Sequence, residues 1–397
     1  MTSALRATIL GIGLAALPGV VPVVAQELTL THVRIIVGNG EVIPDGSIVV
    51  RNGRIAAIAP GAPASTAGRV IDARGMSAMP GFIDAHRHVY TGPDEKKQMQ
   101  SLLDAGFTTV LSGGGPPEAI VALRDRIEQG TINGPHIIPS GTPMLAANLT
   151  PEQARAEIRK LAALKVGYTG EVLLAPLPGP SAGEIETLKA MLDEGRQQGV
   201  KVQVHAVSTP AMSAAVEAGV KLLVHVPNKD WIPKETAQQL AAAGTHILMA
   251  IGFGSPVFGV FAEDNKPRFR DGKPWPEGIV DGVGGGKEAG YSMVNSRTLF
   301  DAGASLGNGM DTTYDARAGL SQELRSMNVV FSTRDMVRIM GPNTAAYLGM
   351  GDAIGTLETG KLADIVLLDG DPLEGYWNWL KARTVIKEGR VVVDGHP

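Results

Sequence analysis

Four histidines and two carboxylates stand where this sequence could gather them around a metal ion. His86 and His88 fall in Pro80-Gly-Phe-Ile-Asp-Ala-His-Arg-His88, an apolar run that reads as a strand and precedes a Gly-Pro turn. A strand sends residues i and i+2 to one face, so both imidazoles project from one strand end toward one ion. His205 ends Val202-Gln-Val-His205, and His225 ends Val220-Lys-Leu-Leu-Val-His225 one repeat later. Between them, Pro210–Gly219 reads as an amphipathic helix closed by Gly219. Asp311, in Gly307-Asn-Gly-Met-Asp311, follows the last strand of the series. A carboxylate there binds metal and accepts a proton from water. Alone, it would read as a helix N-cap before Thr312–Leu320; four converging histidines select the ligand reading.

Glu171 is placed at the start of the fourth strand of the series, in Tyr168-Thr-Gly-Glu171-Val-Leu-Leu. It is either a carboxylate bridging two ions about 3.5–4 Å apart or an exposed strand-end acid. Lys165, at a helix end, is a poorer bridge. Of the eight histidines, His32, His136, His246 and His396 lie in a terminal β segment, at strand starts or in the tail, and read as structural or solvated. Tyr90 and Asn228, just past His88 and His225, are candidate substrate contacts. Arg87 alternates with the two histidines and should point away from the barrel axis.

The elements that position these residues form an alternating series. Eight strands are read at Gly81–Val89, Thr108–Leu111, His136–Ser140, Glu171–Ala175, Val202–His205, Leu222–His225, Ile247–Ile251 and Ala304–Leu306. Pro117–Gln129, Pro151–Leu164 and Ala182–Gln198 read as helices between them. Eight strand–helix units match a (β/α)8 TIM-like barrel, whose catalytic residues sit at the C-terminal strand ends. A doubly wound sheet is the alternative, but no Gly-x-Gly-x-x-Gly opens a helix. Outside the barrel, Leu28–Ile36, Ser47–Val50, Arg54–Ala59, Arg69–Asp72, Ala363–Leu368 and Thr384–Val393 read as strands. Gly38-Asn39-Gly40, Asp45-Gly46 and Asn52-Gly53 read as turns. Neither end alone buries a convincing core, so both together make one small β-sandwich domain. The division is 1–25 leader, 26–79 and 351–397 sandwich, and 80–350 barrel.

The leader reads as a secretory signal peptide. Arg6 precedes an apolar stretch, Ala7 to Val24, and Val23-Val24-Ala25 offers a cleavage site before Gln26. Pro18 and Pro22 disfavour the alternative, a membrane anchor. The chain is therefore expected to be exported, periplasmic or secreted, with no stable membrane span after cleavage. It contains no cysteine, which excludes thiolate metal sites, disulfides and a Cys nucleophile. A net charge of −4 without a basic run removes the footprint of a nucleic-acid binder. A small-molecule substrate remains as the partner, with homo-oligomerisation open.

Together these motifs resemble the amidohydrolase superfamily, and are most similar to its imidazolonepropionase-like and prolidase-like metal-dependent hydrolases. The resemblance covers nearly the whole chain after the leader. It rests on Pro80 to His88, on Ala105-Gly-Phe-Thr-Thr-Val110, on His205 through Ala218-Gly-Val to His225, and on Gly307 to Asp311. Ile354-Gly-Thr-Leu-Glu-Thr-Gly-Lys-Leu-Ala-Asp-Ile-Val-Leu-Leu-Asp369 resembles the C-terminal signature. The resemblance implies a distorted barrel with a β-sandwich. It places His86, His88 and Asp311 on one metal, and His205 and His225 on a second. Glu171 stands where many relatives have a carboxylated Lys, and Asn308-Gly-Met precedes Asp311 where Gly-Thr or Gly-Ser is commoner. The long Gly/Pro-rich segment Phe253–Lys287, with Phe258, Phe261, Arg268, Phe269, Arg270 and Trp275, either covers the site or is a surface loop.

The expected chemistry is hydrolysis of an amide, cyclic amide or peptide-like C–N bond with one or two divalent ions, zinc being favoured by a His/carboxylate set. Mn²⁺, Fe²⁺ and Co²⁺ stay open. Asp311 takes the proton of water and returns it to the leaving nitrogen. The rivals are lactone or ester hydrolysis or decarboxylation at the same site, and a non-catalytic periplasmic binding protein.

Overall fold

The computed structural model describes residues 27–252, 286–312 and 315–395. The leader, most of Phe253–Lys287 and His396 lie outside the described residues. No helix among the described residues is long and apolar enough to cross a membrane.

The N-terminal strands are β1 (Leu28–Ile36), β2 (Val42–Arg51), β3 (Arg54–Pro60), β4 (Arg69–Asp72) and β5 (Met76–Pro80). The C-terminal ones are β15 (Ile365–Asp369), β16 (Ala382–Lys387) and β17 (Arg390–Asp394). All eight join one sheet, ordered β17-β16-β15-β5-β1-β2-β3, with β4 also on β1. The two arms meet over one apolar core, because Ile48 and Ile55 share a cluster with Ile365 and Ile386. Two readings change here. Asp45-Gly46 is no turn but lies within β2, and a Cβ on Gly46 would come within 2.9 Å of the Ala59 carbonyl. That glycine serves close strand packing. Thr384–Val393 is a hairpin, since Glu388 and Gly389 both take positive φ and turn the chain between β16 and β17.

The barrel strands are β6 (Phe82–Arg87), β7 (Phe107–Ser112), β8 (His136–Ile138), β9 (Met144–Leu145), β10 (Tyr168–Leu173), β11 (Lys201–His205), β12 (Leu222–Val224), β13 (His246–Leu248) and β14 (Ser305–Gly307). They pair in parallel as β6-β7-β8 and as β14-β13-β12-β11-β10-β9. Backbone hydrogen bonds close the ring. Ala85 donates to the Asn308 carbonyl (3.0 Å), Asp311 to that of His86 (2.8 Å) and Gly141 to that of Tyr168 (3.0 Å). The helices include α1 (Glu95–Asp104), α2 (Pro117–Glu128), α3 (Pro151–Ala163), α4 (Ala182–Gln198), α5 (Thr209–Glu217), α6 (Lys234–Ala242), α7 (Gly286–Asp301) and α8 (Ala316–Val330). Capping boxes at Thr150 and Ser181 start α3 and α4. Inside the ring, Ile83, Leu111, Tyr168, Leu222 and Leu248 pack with Tyr347 and Leu348. This is the solid floor on which a barrel site rests.

Glu323 of α8 grips the chain where it leaves β13, accepting from the N–H groups of Ile251 (3.1 Å) and Gly252 (2.6 Å). Burial pushes its carboxyl up to about 8. The folded protein therefore holds a proton that the unfolded chain releases above its ordinary value of 4.5. This contribution to stability is present at low pH and is lost as pH rises toward 8, by up to about 1.4 kcal/mol per unit. Glu323→Gln should lose that component. Thermal unfolding of both proteins at about pH 5 and about pH 8 checks it; identical pH dependence would refute the assignment.

Candidate metal centre

Strict strand alternation would not deliver these side chains to one point. The β6–β7 pairing slips by one residue between Asp84 and Arg87. Ile83, before the slip, faces the barrel interior, and so does His86, three residues on. Strand β10 slips likewise against β11 between Tyr168 and Glu171, turning Glu171 to the face of Tyr168. Such bulges re-aim side chains beside active sites. His225 lies just beyond β12, with φ +70°. On a continuing strand it would share the outward face of Leu223, which packs with the helices. Asp311 also takes a positive φ, +50°. Two non-glycine residues in this region cost about 1–3 kcal/mol each, strain that tends to collect at functional sites.

The result brings all six candidate ligands together. Glu171 Oε1 is 3.1 Å from His205 Nδ1, 3.1 Å from His225 Nε2 and 3.7 Å from His86 Nε2. Asp311 Oδ1 is 3.0 Å from His88 Nε2 and 3.4 Å from His86 Nε2, and its Oδ2 is 3.8 Å from His225 Nε2. Glu171 is thus neither exposed nor at a strand start; it is buried, fourth of six residues in β10. Asp311 is no helix cap, because Asp315 caps α8. Lys165 sits in the turn after α3, and the site's carboxylates come from Glu171 and Asp311. His136 pairs with Asp364 at 3.3 Å and His246 with Ser305 at 2.9 Å, both at strand starts.

Burial opposes charge on Glu171 and Asp311, but the facing imidazoles outweigh it and hold both carboxyls well below the usual range. Burial also opposes charge on His86; Glu171 and Asp311 overcome it and carry the imidazole up to about 9. At His225 burial wins and lowers the value.

These residues fit a divalent cation. Both ring nitrogens of His86 are buried without a hydrogen bond, an arrangement costly unless something else meets them. His86, His88 and Asp311 form one close group of donors, and His86, Glu171 and His225 form another. His205 adjoins the second through Glu171. Imidazole and carboxylate are the donors that zinc-type sites use. Gly309 makes room, since a Cβ there would come within 2.7 Å of the His86 Cβ.

Sequence reading passed over Asp84, and turned Arg87 outward as it is found without giving it a part in bracing this centre. Asp84 Oδ1 accepts from the N–H groups of His86 and Met310, both at 3.1 Å. Arg87 points outward and is buried, with Nη1 3.1 Å from Thr312 Oγ1 and 3.7 Å from Asp84 Oδ2. Both tie β6 to the segment carrying Asp311. Their only sequence signal is charge inside an apolar strand. Among the candidate substrate contacts, Tyr90 is exposed at the rim. Asn228 turns a buried Oδ1 that accepts no hydrogen bond, while its N–H donates to Val207 O at 2.8 Å.

The amidohydrolase family model matches residues 77–251 and 292–395, spanning every one of these ligands. The chain belongs to the amidohydrolase family. Imidazolonepropionase of Caldanaerobacter subterraneus subsp. tengcongensis is 22% identical over 391 residues, covering 84% of this chain and 86% of that protein. Imidazolonepropionase of Porphyromonas gingivalis strain ATCC 33277 is 24% identical, covering 88% of each. A Xaa-Pro dipeptidase with methionine bound in its active site superposes with a TM-score of 0.76 at 20% identity, covering 92% of this chain and 99% of that one. Phenylurea hydrolase B gives 0.73 at 21%, covering 93% and 97%. The structural likeness establishes a TIM-like barrel with a small β domain from both chain ends. This amidohydrolase is a metal-dependent hydrolase acting on C–N bonds.

Proposed function

We propose that this amidohydrolase is an exported enzyme that hydrolyses an amide, cyclic amide or peptide-like C–N bond, with zinc held by His86, His88, Glu171, His205, His225 and Asp311. The carrying observation is the buried His86 Nε2, set between two carboxylates that other imidazoles surround. A divalent cation supplies Lewis acidity there, polarising the carbonyl and lowering the pKa of water to about 7. The protein's own residues do the rest. Asp311 accepts the proton of the attacking water and returns it to the leaving nitrogen. Glu171 keeps its charge and draws three imidazoles into place. Asn228 Oδ1, with its acceptor capacity unused, is suited to hold a substrate N–H. Asp84 and Arg87 fix the distance between His86 and Asp311.

Metal analysis with an amide-hydrolysis screen tests the reading. Purified protein should carry at least one divalent ion per chain. Chelation should abolish hydrolysis and added zinc should restore it. Hydrolysis that survives complete removal of metal would defeat it. Export is supported by the apolar leader and its Val23-Val24-Ala25 site. N-terminal sequencing should find Gln26, or a residue within a few positions, at the start of the exported protein; an intact Met1 would overturn export by cleavage.

A further inference from the structure

Half of the large apolar side chains exposed among the described residues lie on one rim of the barrel. Tyr90, Leu145, Leu177 and Trp231 are each more than half exposed, at 54%, 52%, 53% and 56%. Single exposed apolar residues need no explanation. A group gathered at one place marks a binding surface.

The connectivity puts this group at the mouth of the metal centre. Tyr90 lies two residues past His88. Leu145 pairs with Leu173, and Leu173 with His205, so Leu145 stands level with a ligand histidine. Leu177 is four residues beyond the end of β10, the strand that carries Glu171. Trp231 is six residues past His225. The segments behind two of them are uncharged throughout, Pro139-Ser-Gly-Thr-Pro-Met-Leu-Ala-Ala-Asn-Leu-Thr150 and Leu174-Ala-Pro-Leu-Pro-Gly-Pro-Ser181.

The loops that carry Leu177 and Trp231 are also pinned. Ser208 Oγ donates to the Pro176 carbonyl, and the Ala175 N–H to Glu184 Oε1 at 2.8 Å. Asn295 donates to the carbonyls of Pro227 and Asp230, both at 2.8 Å, and accepts the Ile232 N–H at 3.1 Å. The Trp231 ring meets Tyr291 edge-on, 4.3 Å between centroids. Apolar groups presented by a braced backbone lose little entropy when a ligand covers them.

We infer that the substrate bears a bulky, uncharged apolar group beside its scissile C–N bond, seated on the collar of Tyr90, Leu145, Leu177 and Trp231. The inference rests on the proposed metal centre, since the collar is placed relative to it. With the reacting carbonyl held at the His/carboxylate cluster, the collar would select what is attached to it.

Hydroxamates, which chelate the metal through one end and present a chain at the other, test this without turnover. Calorimetry on zinc-loaded protein should compare acetohydroxamate, octanohydroxamate and an eight-carbon hydroxamate ending in a carboxylate. Octanohydroxamate should bind at least about tenfold tighter than acetohydroxamate, because each methylene placed against an apolar surface adds affinity. The terminal carboxylate should cancel most of that gain. Trp231→Ser and Leu145→Ser should each reduce the octano-to-aceto ratio. A ratio within about twofold in the wild type, or tightest binding by the carboxylate-ended chain, would overturn the collar and leave the hydrolase reading standing. Protein that takes up no zinc would overturn the metal centre, and the collar with it. Zinc-loaded protein that binds none of the three would overturn an open metal centre, and the collar placed relative to it.

Discussion

Asp311→Asn protein should retain metal but hydrolyse its substrate at least about a hundredfold more slowly. The aspartate has two tasks, and the substitution separates them. As a donor, Asn keeps a carbonyl oxygen where Asp311 Oδ1 now faces His86 and His88. The group formed by His86, Glu171 and His225 does not include Asp311 at all. At least one ion should therefore remain. As a proton acceptor, Asn cannot replace a carboxylate. General acid–base catalysis contributes about 10²–10⁴-fold, so kcat should fall by that much at matched metal loading. The fold should be undisturbed, because the Asp311 N–H that closes the barrel onto His86 O is a backbone group. A variant that keeps more than about a tenth of wild-type kcat would remove Asp311 from the proton path. Glu171 would then be the next base to examine.

Removing His86 should do more harm to metal binding than removing any other histidine. His86 belongs to both close donor groups, so His86→Ala breaks both, whereas His205 belongs to neither and touches the centre through Glu171. Metal per chain in His86→Ala should fall by at least half, and activity to below about one per cent, since what remains lacks the positioned electrostatics of the site. His205→Ala should lose less of both. The far-ultraviolet circular dichroism should be unchanged in each. The floor of the barrel is a separate apolar layer, and the His86 imidazole makes no hydrogen bond whose loss would strand a partner. Metal stoichiometry and circular dichroism measured on the same samples decide the matter. Unchanged stoichiometry in both variants would make these histidines structural.

Much of the architecture was legible without coordinates. The strand–helix alternation, the starts of α3 and α4 at Pro151 and Ala182, and the placing of His86, His88, His205, His225 and Asp311 at strand ends follow from local rules. Apolar runs make strands, amphipathic runs make helices, and polar residues at a strand's end fall on the rim. Asp45-Gly46 and the β16–β17 hairpin depart from the sequence reading for one reason. Glycine punctuates turns, but it also serves strands that need close approach or a tight reversal, and sequence alone does not say which.

What only the tertiary structure decided is which way each ligand faces. Alternation along a strand has a period of two, so one inserted residue reverses every side chain after it. The slips at Asp84–Arg87 and Tyr168–Glu171 do that for His86 and Glu171. The left-handed backbone at His225 and Asp311 makes the remaining turns. Those conformations persist because neighbouring strands hold them, through bonds such as Asp311 N–H to His86 O and Asp84 Oδ1 to Met310 N–H. The sequence determined which residues reach the rim of the barrel. Long-range packing, whose partners lie more than two hundred residues apart, turned them toward a single point.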